Sequence, residues 1–169
     1  SLKKGETLRD TAQNIEAMKV DMIVMRHSSP GAAAYLGRVL KASVINAGDG
    51  PHEHPTQGLL DIMTMRQRLG NLEGKKVTII GDISHSRVAR SNIYGLGRLG
   101  AEVTVCGPPT MVPRAIAKLG AKVELDLAKA VAKADCLNIL RIQLERQSQM
   151  VFPSNREYAL MYGVNEDVL

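Results

Sequence analysis

Apolar residues fall in short runs along the chain, and two kinds of spacing alternate. The runs at 21–26 (DMIVMR), 43–46 (SVIN), 75–82 (KKVTIIGD), 101–107 (AEVTVCG), 121–125 (AKVEL) and 135–141 (DCLNILR) have strand length and are rich in Val, Ile and Leu. Between and around them, helical spacing predicts helices over 7–18, 31–40, 56–69, 86–99, 111–119, 127–134 and 154–162. Alternation of strand and helix predicts an α/β fold with mostly parallel strands. In such sheets ligands sit beyond the carboxyl ends of the strands. That rule singles out Arg26 and His27, the 47–57 loop, Asp82 to Arg87, Gly107 and Pro108, and Arg141 to Gln143. The helix beginning near Thr56 is expected to join two halves of the molecule.

The segment NAGDGPHEHPTQGLLDI, residues 46–62, is a turn-rich loop running into that helix. Thr56 is expected to cap it, with Leu59, Leu60, Ile62 and Met63 supplying the helical spacing. His54, Thr56 and Gln57 then stand at a helix mouth, where open N–H groups and the positive dipole end favour an anion. The pair of histidines in HEH (52–54) is a weak metal signal without further ligands. Two readings stay open: a substrate contact for His54 with His52 in solvent, or two plain loop residues.

In GDISHSRVARSN (81–92) a strand gives way to a helix. Gly81 permits the turn, and Ser84 or Ser86 caps the helix. Arg87 lies in its first turn, where a cation is disfavoured by the dipole. That penalty fits a bound anion or a solvated arginine. In LRIQLERQ (140–147), Arg141 and Gln143 alternate after an apolar strand and point to one side; Glu145 and Arg146 are expected to pair with neighbours. GLGRLG (95–100) spells the dinucleotide fingerprint, but its glycines end a helix and precede a strand. The fingerprint must follow a strand and open a helix, so Gly100 is read as a helix terminator and a nucleotide-dependent oxidoreductase is disfavoured.

Hydrophobic residues make up 44% of the chain and its mean hydropathy is −0.09, values of a soluble globular protein. The apolar runs are too short to cross a membrane, and the first ten residues are too polar for a signal peptide. Cys106 and Cys136 match no zinc spacing, which predicts a reduced, cytoplasmic chain. A net charge of +5 raises nucleic acid as a partner, but with no Trp, one Phe and no basic run longer than two residues, the stacking platform is missing. Small anionic substrates or a solvated surface fit the charge equally well.

Five motifs, SLKKGETLRDT, VMRHSSPGAA, INAGDGPHEHPTQGLLD, GDISHSRVARSN and LRIQLERQ, stand in the order and spacing of the aspartate carbamoyltransferase catalytic chain family, which this sequence resembles over essentially its whole length. His54-Pro55-Thr56-Gln57 is shared with ornithine carbamoyltransferases, whereas the segments around Arg87 and Arg141 resemble the aspartate enzymes. The resemblance implies two parallel-sheet α/β domains. Residues 1–55 would be the C-terminal part of a carbamoyl-phosphate domain, and 56–169 most of an aspartate domain. Both are read as incomplete, because the family's upstream Ser-Thr-Arg-Thr phosphate loop and downstream His-Pro-Leu/Ala-Pro segment have no counterpart in this sequence.

The implied reaction joins carbamoyl phosphate to L-aspartate, giving N-carbamoyl-L-aspartate and phosphate for pyrimidine synthesis, with no metal or organic cofactor. By motif, Arg26 holds the phosphate and carbonyl end of carbamoyl phosphate. His54 contacts its carbonyl oxygen and Gln57 its amide. Arg87 and Arg141, with Gln143 beside them, take the carboxylates of aspartate. Ser1 and Lys4, with Lys3 as the alternative, resemble a loop reaching a neighbouring subunit's site in a homotrimer. Regulatory or dihydroorotase-type chains are further candidate partners, and neither nucleic acid nor membrane is expected. A rival reading is a non-catalytic homologue or scaffold partner.

Overall fold

The computed structural model describes residues 6–142, 154–166 and 168. The chain divides into two compact units, Ser1–Gln57 and Gly58–Leu169. Each is built from parallel strands with helices, the α/β class expected from the alternating pattern.

In the first unit, helix α1 (Leu8–Glu16) precedes β1 (Met22–His27), and α2 (Ala32–Val39) crosses to β2 (Ser43–Asp49). Thr7 and Asp10 close α1 reciprocally: the Asp10 amide donates to Thr7 Oγ1 at 3.2 Å, and the Thr7 amide to Asp10 Oδ2 at 3.3 Å. Ala12, Leu36 and Leu40 form the buried core, with Ile23, Met25 and Val44 packed against it from one sheet face.

Helix α3 (Pro55–Leu69) begins at the end of that unit and continues into the second. There β3 (Lys76–Ile80), α4 (Arg87–Arg98), β4 (Glu102–Cys106), β5 (Lys122–Glu124), α5 (Leu127–Val131), β6 (Cys136–Ile139) and α6 (Asn155–Tyr162) follow. The sheet runs β5-β4-β3-β6, all parallel. Val77 and Ile79 of β3 enter one core with Ile93, Leu96 and Val105. Ile80 faces a second with Cys106, Leu127, Val131 and Tyr162.

Two expectations change. The helix anticipated over 111–119 is a short 3₁₀ turn, Arg114–Leu119, because Pro113 holds the chain extended (φ −64°, ψ 132°) immediately before it. The helix anticipated over 127–134 stops at Val131. GLGRLG lies in the last turns of α4 and the loop after it, where Gly100 takes φ 76° ahead of β4. Among the described residues no helix is long and apolar enough to cross a membrane. Cys106 and Cys136 are both unbridged, and burial pushes the Cys106 thiol up to about 11.

Candidate functional site

In the first unit, β1 and β2 run parallel, so their carboxyl ends share one edge. Arg26 is the last residue but one of β1 and is exposed. The loop leaving β2 is organised by Asp49, which is 3% exposed. Its carboxylate accepts from the Gly31 amide (2.8 Å), the Glu53 amide (3.0 Å) and the His52 ring (Nδ1, 3.2 Å). Burial pushes the Asp49 carboxyl up, but the Gly31 amide, the Asn46 side chain, the His52 ring and the Glu53 amide together outweigh it and hold the group below the usual carboxylate range. Gly50 donates to the His27 carbonyl at 2.8 Å, tying the loop to the end of β1. Its φ is 57°, and a Cβ there would lie 2.3 Å from the Ser28 carbonyl oxygen, so only glycine fits.

This loop delivers His54 to the start of α3. Thr56 is not its cap: the helix begins at Pro55, whose missing N–H and fixed φ suit the first helical position, and Thr56 sits inside the first turn. The Thr56 hydroxyl lies 3.2 Å from His54 Nδ1. When it donates there, the ring proton sits on Nε2, leaving that nitrogen as the donor. Gln57, half-buried, follows on the same turn, and its amide donates to the His54 carbonyl at 3.1 Å. Arg26, His54 and Gln57 thus gather at the carboxyl end of one two-stranded sheet. His52 is bound into the scaffold by Asp49 and is otherwise half exposed.

The second unit builds its own edge at β3 and β6. From β3 the chain steps outward to β4 and β5, then returns to place β6 on the other side of β3. Where strand order turns back in this way, the loops leaving the two strands part and open a crevice. The loop after β3 leads to Arg87 at the start of α4, and the segment after β6 carries Arg141. Leu140, next to Arg141, donates to the Ile80 carbonyl at 2.8 Å. Gly81 lets that approach happen: its φ is 133°, and a Cβ there would come within 3.0 Å of Leu140 Cβ and 3.5 Å of Tyr158 Oη.

The loop from Gly81 to Ser86 is held from several directions. Asp82, wholly buried, binds the His85 Nδ1 with both carboxylate oxygens (2.9 and 3.0 Å) and the His85 amide at 3.2 Å. The Ser84 amide donates to the Met111 carbonyl at 2.8 Å. Tyr158 from α6 stands close enough that burial, with the negative charge of Asp82, pushes its hydroxyl up to about 12. Ser86, not Ser84, is the cap of α4: its Oγ accepts from the Ala89 amide at 3.1 Å. Arg87 follows as the first helical residue and is 4% exposed, which removes the solvated alternative. The dipole of the helix that Arg87 opens favours negative charge at its mouth. Arg141 is exposed, two residues beyond β6.

Ser1, Lys3, Lys4, Gln143, Glu145 and Arg146 lie outside the described residues. Asp82 and His85 lie in the stretch singled out from the sequence, though their mutual contact was not anticipated; Asp61, Asn92 and Asn138 escaped the sequence reading as site components. One signal was available: Asp61 interrupts the inward stripe of α3 formed by Gly58, Ile62 and Met65, a polar residue where an apolar one is due. Among the described residues no group of three or more His, Cys, Asp or Glu is arranged to hold a metal ion.

Two family models match. The first, described as the carbamoyl-P binding domain of aspartate/ornithine carbamoyltransferase, covers residues 1–67. The second, the Asp/Orn binding domain of the same family, covers 73–169. The chain is 59% identical over all of its 169 residues to an aspartate carbamoyltransferase catalytic subunit of Flavobacterium psychrophilum, covering 55% of that protein. The chain therefore spans about half the length of the curated relatives it matches. Among solved structures, it is similar to the Trypanosoma cruzi aspartate transcarbamoylase in complex with carbamoyl phosphate, with a TM-score of 0.79, 28% identity, and 99% of this chain and 57% of that one covered. The catalytic subunit of the M. jannaschii enzyme gives a TM-score of 0.76 at 34% identity, covering 94% of this chain and 52% of the other.

Proposed function

The chain belongs to the aspartate/ornithine carbamoyltransferase family, and from that premise we propose that it carries the substrate-binding parts of an aspartate carbamoyltransferase. Carbamoyl phosphate and L-aspartate would give N-carbamoyl-L-aspartate and phosphate. With it goes the domain division: residues 1–55 chiefly serve carbamoyl phosphate, joined by Gln57 just beyond that bound, and the rest of 56–169 serves aspartate.

The observation that carries the aspartate reading is the pair Arg87 and Arg141 at the carboxyl ends of neighbouring strands. Two guanidinium forks suit a dicarboxylate, since each can bind a carboxylate through two parallel hydrogen bonds. Ornithine, with one carboxylate and an ammonium side chain, gives a second arginine nothing to hold. Gln143 would add a donor beside Arg141.

Carbamoyl transfer adds the neutral amine of aspartate to the carbamoyl carbon, and negative charge builds on the carbonyl oxygen. His54 Nε2 and the Arg26 guanidinium are the donors for that charge, and Gln57 fixes the carbamoyl amide. The C–O bond to phosphate then breaks. The leaving phosphate takes the proton that the amine sheds, so the chain need supply no separate base. Ser1 and Lys4 would complete the site of a neighbouring subunit in a cyclic homotrimer, which requires a head-to-tail interface. Regulatory or dihydroorotase-type chains are the proposed further partners, and a cytoplasmic setting and a role in pyrimidine synthesis follow from the same reading.

The test is transfer of label from carbamoyl phosphate by the full-length protein, offered aspartate and ornithine in parallel. Labelled carbamoyl-aspartate is expected, with none on ornithine. Label on ornithine overturns the choice of acceptor, and label on neither supports the non-catalytic rival.

A further inference from the structure

Asp61 lies in α3 within the second unit, and its Oδ2 reaches two other elements at once. It accepts from Asn92 Nδ2 in α4 at 2.7 Å and from Asn138 Nδ2 in β6 at 3.3 Å. Asn92 stands on the helix that Arg87 opens, and Asn138 on the strand that leads to Arg141. One carboxylate oxygen therefore ties together the two elements that carry the arginines.

The surroundings are built for this contact. Asn92 is wholly buried, and its Oδ1 meets no donor among the described residues, so the hydrogen bond through Nδ2 orients the amide. Gly58 and Gly95 let α3 and α4 come close. A Cβ at Gly58 would lie 3.0 Å from Ser91 Cβ and 3.5 Å from Asn92 Oδ1, and one at Gly95 would lie 2.4 Å from Ile62 Cδ1. A short aspartate side chain can reach the facing asparagine only at such a separation. The bonds it makes are charge-assisted, the stronger kind.

We propose that Asp61 is a positioning residue for aspartate recognition, its carboxylate fixing α4 against β6 so that Arg87 and Arg141 meet the two carboxylates of one substrate. This rests on the functional reading above and goes beyond it, since that reading gives Asp61 no role. Removing the acceptor leaves two amide donors without their carboxylate and lets β6 shift relative to α4. A misplacement of about 1 Å in a positioned group can cost roughly 100-fold.

Three full-length variants test it: Asp61→Ala, Asp61→Asn and Asn138→Ala. Asp61→Ala is expected to raise the KM for aspartate about 10- to 100-fold while leaving carbamoyl phosphate affinity near that of the parent. Asp61→Asn keeps an acceptor oxygen in place and is expected to recover most of that loss. Asn138→Ala cuts only the arm to β6 and gives an intermediate rise, which keeps the proposal testable if Asp61→Ala fails to fold. Hydrogen exchange without substrate provides a reading independent of the reaction: amides around 138–142 should exchange faster in Asp61→Ala than in Asp61→Asn. Equal losses for both substrates, an asparagine variant as impaired as the alanine variant, or unchanged exchange at 138–142 would each overturn the proposal. Absence of transfer to aspartate by the unaltered protein, with the exchange difference intact, would instead sink the functional reading.

Discussion

The two units use the same strand–helix vocabulary but cover their sheets differently. In the second unit β3 is buried along Val77 to Ile80, because one sheet face packs on α4 and the other on α5 and α6. Among the described residues of the first unit, α1 and α2 cover one face of the sheet. Met22 and Val24, whose side chains point the other way, are 53% and 63% exposed. A parallel sheet normally has both faces covered, and its strands are apolar throughout for that reason. The difference teaches that an apolar run in the sequence reports what a strand is suited to bury, not what a given stretch of chain buries.

Truncating the two sheets should expose this contrast most strongly. Ile79→Ala, at a wholly buried position, is expected to cost about 2–5 kcal/mol of unfolding free energy, whereas Val24→Ala should stay within about 0.5 kcal/mol. Urea denaturation of both variants checks it, and equal losses would break the comparison. A sharper version concerns chemistry. On the proposed function His54→Ala, in the first unit, should lower kcat by about 10²–10³, because it would remove a donor to charge that grows in the transition state. Arg87→Ala, in the second, should act chiefly through the KM for aspartate. A His54 variant altered only in KM would assign that residue to ground-state binding.

The smallest expected signal is a slope. The Asp49 carboxyl is held below its unfolded value, so the stability it contributes is present above that value, about 3.9, and is lost as pH falls through the lower folded value. Urea midpoints measured from pH 7 to pH 3 should drop over the acid end of that range. Asp49→Asn should flatten this component of the fall. An unchanged acid slope in that variant would show that the Gly31, Asn46, His52 and Glu53 contacts do not discriminate the charged form.

Much of this molecule was legible beforehand. The β3 run was anticipated over 75–82 and occupies Lys76–Ile80, ending where Gly81 turns. The helix expected over 86–99 is Arg87–Arg98, because Ser86 caps it. Local chemistry sets such boundaries, so sequence can report them. The 3₁₀ turn at Arg114–Leu119 was misread because helical spacing was weighed without Pro113. Thr56 was misread because a good capping residue follows a proline that takes the first helical place itself. Arg87 was left open between solvent and anion, since spacing does not reveal burial. The Asp61 contacts lie 31 and 77 residues away along the chain, a distance over which no local pattern carries information.

The sheet order also sets a timetable. Strands β3, β4 and β5 can assemble in the order in which they emerge from the ribosome, but β6 must travel back past both to dock on β3. The Lys76 amide waits for Asp135, 59 residues later, to receive its hydrogen bond at 2.7 Å. Contacts of that separation close late, after the entropy of a long loop has been overcome. On that ordering Arg87 would have its helix and cap before β6, and with it Arg141, docks beside β3.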